Sequence, residues 1–217
     1  MRTMIFFIAL LMMASPAAAK LRVFACEPEW AALTTELAGD LVEVFSATTA
    51  QQDPHHIQAR PALIAQLRRA DLAVCTGAEL EAGWLPMLQR RANNARIQNG
   101  GSGYLEAASA VELLEKPQRL DRAEGDVHAS GNPHIHLGPH NIGRVAEAIS
   151  QRLIALDPTN SQLHRERHAD FQQRWQTAIA RWEKRAAPLR GMAVVVAHSD
   201  WVYLEQWLGL ERIAALE

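Results

Sequence analysis

No apolar stretch in this sequence is long enough to cross a bilayer. The longest candidate, Met4 to Met13, falls well short of the roughly 20 residues a spanning helix needs. An excess of one charge is missing too: the net charge is -2, without the basic surplus that nucleic-acid binding relies on, so nucleic acid is excluded as a partner. Cysteine is scarce, with only Cys26 and Cys75, and none sits at the junction that closes the first apolar run, which argues against a lipid-modified N-terminus. No internal repeat occurs. The His-Glu-x-x-His signature of metalloproteases is absent as well.

What is present begins at the N-terminus. A basic start at Arg2, the apolar run and the small-residue close Ser15-Pro16-Ala17-Ala18-Ala19 before Lys20 make the three-part pattern of a cleaved secretory signal over residues 1–19. The mature chain is then exported and begins near Lys20. With 48% hydrophobic residues it is expected to be globular. In an oxidising compartment Cys26 and Cys75, each at the end of an expected strand, either pair across a long loop or remain two buried thiols.

Periodicity orders the rest. Leu21 to Ala25 reads as a strand, and Trp30, Leu33 and Leu37 recur at helical spacing until Gly39 supplies a stop. Leu41 to Ser46 alternates as a second strand, Pro61 opens a helix carrying Leu63, Ile64 and Leu67, and Leu72 to Cys75 is a third strand. A helix is expected from Glu79 to about Arg91, a polar, turn-rich stretch from Lys116 to Gly131, and a helix from Asn141 to Leu156. Alternating strands and helices imply an α/β fold with a parallel sheet, whose ligands bind at the carboxyl ends of the strands. A longer periodic run follows to Ala187, with Leu163, Phe171, Trp175, Ala178 and Trp182 on one stripe. At 1.5 Å per residue it extends about 40 Å, enough to bridge two lobes. Met192 to Ala197 is a buried-type strand, Trp201 to Leu208 a helix, and Ile213 a strand start. Roughly thirty residues after the long helix are too few for an independent core, so a second lobe is expected to be incomplete.

Nine histidines are many for this length, and their clustering matters more than their number. Asp53-Pro54-His55-His56 follows the second strand, Asn132-Pro133-His134-Ile135-His136 follows the polar stretch, and His198 stands where the strand Val194 to Ala197 ends. A strand-helix fold can bring all three places into one cleft. Neutral imidazole suits zinc, which takes nitrogen, sulfur or oxygen donors in tetrahedral geometry, and the prolines beside His55 and His134 restrict the backbone that presents each ring. Composition and spacing alone imply a metal cleft and no more.

With Asp53-Pro54-His55 and Arg60-Pro61, Ala70-Asp71-Leu72 with Gly77 and Leu80-Glu81, Asn132-Pro133-His134-Ile135 with Leu137 and Pro139, and His198 with Tyr203-Leu204 and Leu208 to Glu211, the chain resembles the zinc and manganese solute-binding proteins of ABC importers. That resemblance, from about Leu21 to the last residue, implies two α/β lobes joined by one long helix: residues 20–156 as the metal-binding lobe, 157–187 as the link and 188–217 as the beginning of the second lobe. It implies His55, His134 and His198 as ligands to Zn²⁺, carried as cargo, and a monomer in the periplasm that delivers it to a membrane permease without chemical turnover. The family's fourth ligand, an acid, falls beyond Glu217, so the resemblance assigns no residue here to that role. His136 and Gly138 depart from the family's aromatic and acidic residues, which affects packing behind His134.

The other histidines divide. His128, in the polar stretch, is a candidate accessory ligand or a solvated loop residue. His136 is an alternative ligand or packs against the lobe. His56 and His140 carry no assignment, and His164 with His168 reads as a solvated charged face of the long helix. Other functions stay open beside capture of Zn²⁺ for an importer: a periplasmic zinc buffer, a manganese importer subunit, or a zinc hydrolase, for which no base or oxyanion stabiliser is nominated.

Overall fold

A computed structural model describes residues 19–117 and 128–216. The expected signal segment, but for Ala19, lies outside them, as does the middle of the polar stretch after Lys116. Among the described residues no helix is long and apolar enough to cross a membrane.

The α/β expectation holds. Strands β1 (Leu21–Ala25), β2 (Val42–Ser46), β3 (Leu72–Cys75) and β4 (Tyr104–Glu106) form one parallel sheet in the order β2-β1-β3-β4. Helix α1 (Pro28–Ala38) starts with proline at its first turn and ends at Gly39, whose φ of +55° lies where a side chain is disfavoured. Helices α2 (Pro61–Arg69) and α3 (Leu85–Ala92) cover one face of the sheet with Leu63, Leu67, Trp84 and Leu88. Helices α1, α4 (Pro139–Leu156) and α5 (Ser161–Ala186) cover the other with Trp30, Leu37, Val145, Ile149, Leu153 and Phe171. Burial on both faces explains why β3 reads Leu-Ala-Val-Cys with every residue buried and no alternation.

Two expectations for these elements need correction, and one strand was not foreseen. The helix expected from Glu79 begins at Leu85, because the Glu81 side chain folds back to accept from the Thr76 N–H at 2.6 Å and the Gly77 N–H at 3.0 Å, while Ala78 and Glu79 take left-handed backbone. Strand β4 is too short and too weakly patterned to be expected from sequence. His164 and His168 do not sit on a solvated face. His164 is fully buried with Nε2 3.2 Å from Asp157 Oδ2, and His168 Nε2 lies 3.3 Å from Glu147 Oε2 on α4. They occupy the same stripe as Phe171 and Trp175, one and two turns earlier, so the packed face of α5 extends through residues whose type suggested water.

α5 has 26 residues, about 39 Å at 1.5 Å each. Its first half packs on α1 and α4, where Arg167 donates to the Ala38 carbonyl and to Asp40 at 3.0 Å. Its last turns reach Trp207, whose Nε1 donates to Glu183 at 3.1 Å. Trp207 belongs to α6 (Val202–Leu208), which lies between β5 (Ala193–Val196) and β6 (Glu211–Ala215), a parallel pair. β5 is not the buried strand its sequence suggests. Val195 is 57% exposed, and Met192 and Ile213 are exposed too, because the described residues place no layer over this pair.

At the carboxyl ends of the adjacent strands β1 and β3, Cys26 and Cys75 form a disulfide, with Cα atoms 4.7 Å apart and both residues wholly buried. This is where the strand order reverses, since β2 lies to one side of β1 and β3 to the other, and open α/β sheets bind ligands outside such a point.

Candidate metal centre

The two Asx-Pro-His segments share a local mechanism. Asp53 Oδ1 accepts from the His55 N–H at 2.9 Å, and Asn132 Oδ1 accepts from the His134 N–H at 3.0 Å. Each is a side-chain turn that, with the proline between, aims the histidine before any tertiary contact forms. Asp53 goes further: its two oxygens meet Nδ1 of His55 and Nδ1 of His56, both at 2.8 Å. Burial pulls its carboxyl upward, but donation from the His56 ring, the His55 N–H and the His55 ring outweighs this and holds it at about 2. An ionised Asp53 fixes the proton of His55 on Nδ1 and leaves the Nε2 lone pair facing inward, the orientation a metal-binding imidazole needs.

Long-range contacts then gather the rings. His55, His128, His134 and His198 line one cleft of about 360 Å³, together with Asp53, Asn132, Ser199 and Asp200. His55 Nε2 lies 3.1 Å from His128 Nε2, and the ring centroids of His55 and His134 are 5.8 Å apart. Segment 128–131 is held by Glu79, which accepts from the Ser130 N–H at 3.1 Å and its hydroxyl at 2.7 Å. The turn bearing His198 is held by Asn132, which donates to the Ser199 carbonyl at 2.9 Å. Tyr203 on α6 donates to the Asn132 carbonyl at 2.6 Å and accepts from the Leu114 N–H at 3.1 Å.

Asp200 is the residue sequence reasoning missed. Its Oδ1 stands 3.0 Å from His134 Nε2, and that hydrogen bond, with the charges of His134, His198 and His55 and against partial burial, lowers its pKa. The signal available was an acid two residues beyond a strand-end histidine. His136 is not among the cleft-lining residues. Its ring stands edge-on behind His134 with centroids 6.0 Å apart, Nδ1 lies 3.4 Å from Glu29, and burial lowers its pKa against the pull of Glu29.

Two other features could be mistaken for the site. Cys26, Cys75 and Glu81 bring three donor atoms within 4.8 Å of one another, but the disulfide removes both sulfurs as ligands. A larger groove of about 900 Å³ between α4 and α5 has His140 and Arg144 in its wall and no converging imidazoles; His140 pairs with Glu183.

Around Thr76, at the carboxyl end of β3, lie two buried carboxyls, Glu27 and Glu81. Burial first, then the charge and hydrogen bond of Glu81, push Glu27 well up. Burial also raises Glu81, and donation from Glu27, Gly77 and Thr76 moderates it to about 7. Glu27 Oε1 has no donor, the natural place for a retained proton shared with Glu81. An unfolded glutamate titrates near pH 4.3, so stability from these retained protons is complete below about pH 4.3 and is lost as pH rises through about 7. Glu27→Gln is therefore expected to raise stability at pH 8 and leave it unchanged at pH 4. Urea unfolding of metal-free protein at both pH values checks this, and parallel shifts at the two would refute it.

The arrangement has relatives. A family model described as zinc-uptake complex component A, periplasmic, matches residues 23–217. A manganese ABC transporter substrate-binding lipoprotein, PsaA, of Streptococcus pneumoniae is 29% identical over 155 residues, covering 70% of this chain and 47% of the relative. Its counterpart in Streptococcus anginosus is 26% identical over 152 residues, with the same coverage. The chain thus spans about half the length of the curated relatives it matches. Among solved structures, a ZnuA deletion mutant with zinc bound superimposes with a TM-score of 0.77 at 25% identity, over 92% of this chain and 70% of that one.

Proposed function

Because the chain belongs to the family of zinc-uptake complex component A, we propose that it captures Zn²⁺ in the histidine cleft and hands it to the membrane permease of an ABC importer. His55, His134 and His198 are the imidazole ligands, with residues 20–156 as the metal-binding lobe, 157–187 as the link and 188–217 as the beginning of a second lobe, in a periplasmic monomer released from a signal over residues 1–19. The observation that carries this reading is the convergence of three histidines from three separate strand-end loops on one cleft. Asp53 holds His55 with its Nε2 lone pair inward, and Nε2 of His134 also faces the cleft, toward Asp200. Capture needs no general base, and both carboxylates of the cleft are engaged by imidazoles, Asp53 by His55 and His56 and Asp200 by His134.

A manganese cargo has an observation in its favour, since the streptococcal relatives carry that metal in their names. The donor set argues otherwise. Imidazole suits zinc, whereas manganese prefers carboxylate, carbonyl and water oxygens. Protons compete with metal for imidazole. Titration calorimetry of the mature chain is therefore expected to show Zn²⁺ bound more tightly than Mn²⁺ at neutral pH, and Zn²⁺ affinity falling on acidification through the ordinary imidazole range near pH 6.5. Tighter Mn²⁺ binding, or zinc affinity indifferent to pH, would overturn the assignment.

A further inference from the structure

His55, His134 and His198 leave one tetrahedral position open, and neutral imidazoles, His128 included, leave the two positive charges of a captured ion uncompensated. Among the described residues the cleft lining contains two carboxylates, Asp53 and Asp200. Both oxygens of Asp53 are engaged by imidazole Nδ1 atoms, on the side of His55 away from its inward lone pair. The acids nearby are committed elsewhere: Glu29 faces His136, Glu79 holds Ser130, and Glu115 pairs with Arg212 at 2.5 Å. Asp200 alone among them directs an oxygen at a ligand nitrogen inside the cleft.

The spacing is that of neighbouring donors on one ion. Two atoms bonded to zinc at 2.0–2.1 Å with a tetrahedral angle between them stand about 3.3 Å apart. Asp200 Oδ1 and His134 Nε2 stand 3.0 Å apart, and both lie on the cleft wall with His55 and His198. Loss of the shared proton and a widening of a few tenths of an ångström give the pair the separation of two donors on one ion, which then sits to one side of the line between them. The backbone favours the same outcome. Asp200 lies two residues beyond His198 in the turn between β5 and α6, and the Asn132 bond to the Ser199 carbonyl ties that turn to the loop presenting His134. One turn therefore delivers two donors.

We propose that Asp200 is itself a metal ligand, the oxygen donor of a three-nitrogen, one-oxygen set completed within this chain by His55, His134 and His198. The proposal rests on the reading of the cleft as a metal-capture site. It differs from a positioning role for Asp200 behind His134, because a ligand changes the electronic environment of the ion.

The test uses the mature chain with Zn²⁺ in competition with a chromogenic chelator, and Co²⁺ as a spectroscopic probe. Substitution of groups behind a ligand costs 10–100-fold in metal affinity, so Asp200→Asn is expected to weaken Zn²⁺ by more than about 100-fold and to shift the visible Co²⁺ bands, while Asp200→Glu restores most of the affinity. Thermal unfolding without metal should be the same for all three proteins, since Asp200 is 44% exposed. Asn at 200 binding Zn²⁺ as tightly as aspartate, or binding it weakly with the Co²⁺ spectrum intact, overturns ligation by Asp200 while leaving the capture site standing. If the unsubstituted chain binds no Zn²⁺, or His134→Ala binds it unchanged, the capture reading and this proposal fall together.

Discussion

Replacing both His55 and His134 with alanine is expected to abolish measurable zinc binding, and each single replacement to cost well over the 10–100-fold typical of groups behind a ligand. The two residues lie 79 positions apart in sequence, yet their rings stand 5.8 Å apart, so each removes a donor from one ion rather than from two separate sites. The loss should be confined to binding. Removing His134 releases Asp200, which is half exposed, and removing His55 releases Asp53, which is more so, so neither leaves a buried charge unpaired. Thermal unfolding without metal should therefore change little. The stabilisation that zinc confers on the parent, which grows as RT ln(1 + [L]/Kd), should disappear. Chelator competition and unfolding with and without Zn²⁺ check both halves. A double variant that still binds zinc as tightly as the parent would place the site elsewhere.

Opening the Cys26–Cys75 bridge is expected to cost about 4 kcal/mol of stability, the chain-entropy value for a loop of this length, here a sequence separation of 49. The bridge joins the carboxyl ends of the two central strands, and its neighbours make the same junction. Glu27 accepts from the Thr76 N–H and hydroxyl, and Trp30 donates to the Thr76 hydroxyl at 2.8 Å. Cys26→Ala with Cys75→Ala avoids burying new polar groups, and urea unfolding of this variant against the oxidised parent measures the loss. Urea unfolding of the parent with and without reductant should give a similar difference. Equal unfolding free energies would show that Thr76 and its partners hold the strand ends without the bridge. The expectation at the cleft is milder: weaker zinc binding, because the Thr76–Trp84 loop on which Pro54 rests through the Trp84 indole at 2.8 Å starts at this junction.

Sequence reading succeeded where the controlling physics is local. Alternation and helical spacing marked β1, β2, α2 and α4 because side-chain periodicity follows backbone geometry, and Gly39 stopped α1 for steric reasons present in the chain itself. It failed where a distant group decides. The start of α3 moved to Leu85 because the Glu81 carboxylate found the backbone amides of Thr76 and Gly77. The charged neighbours of His164 and His168 point to water, yet Asp157 gives the buried His164 ring a partner and Glu147, at the rim of the packed face, pairs with His168. β5 shows the opposite error, since an apolar strand is buried only if something covers it.

By itself, the sequence determined the α/β character, the Asx-Pro-His turns that aim two rings, and the family to which the histidine motifs belong. The first two follow from short-range sterics, periodicity and residue chemistry, and the third from resemblance to known sequences. Only the tertiary structure decided that His55, His128, His134 and His198 share one cleft, that His136 stands behind it, and that Asp200 faces His134 across 3.0 Å. The reason is that a ligand set is a property of distances between loops, and those distances are set by the strand order β2-β1-β3-β4 and by the anchoring of Asn132 to Tyr203 and Ser199, contacts between residues about seventy positions apart in sequence that no local pattern encodes.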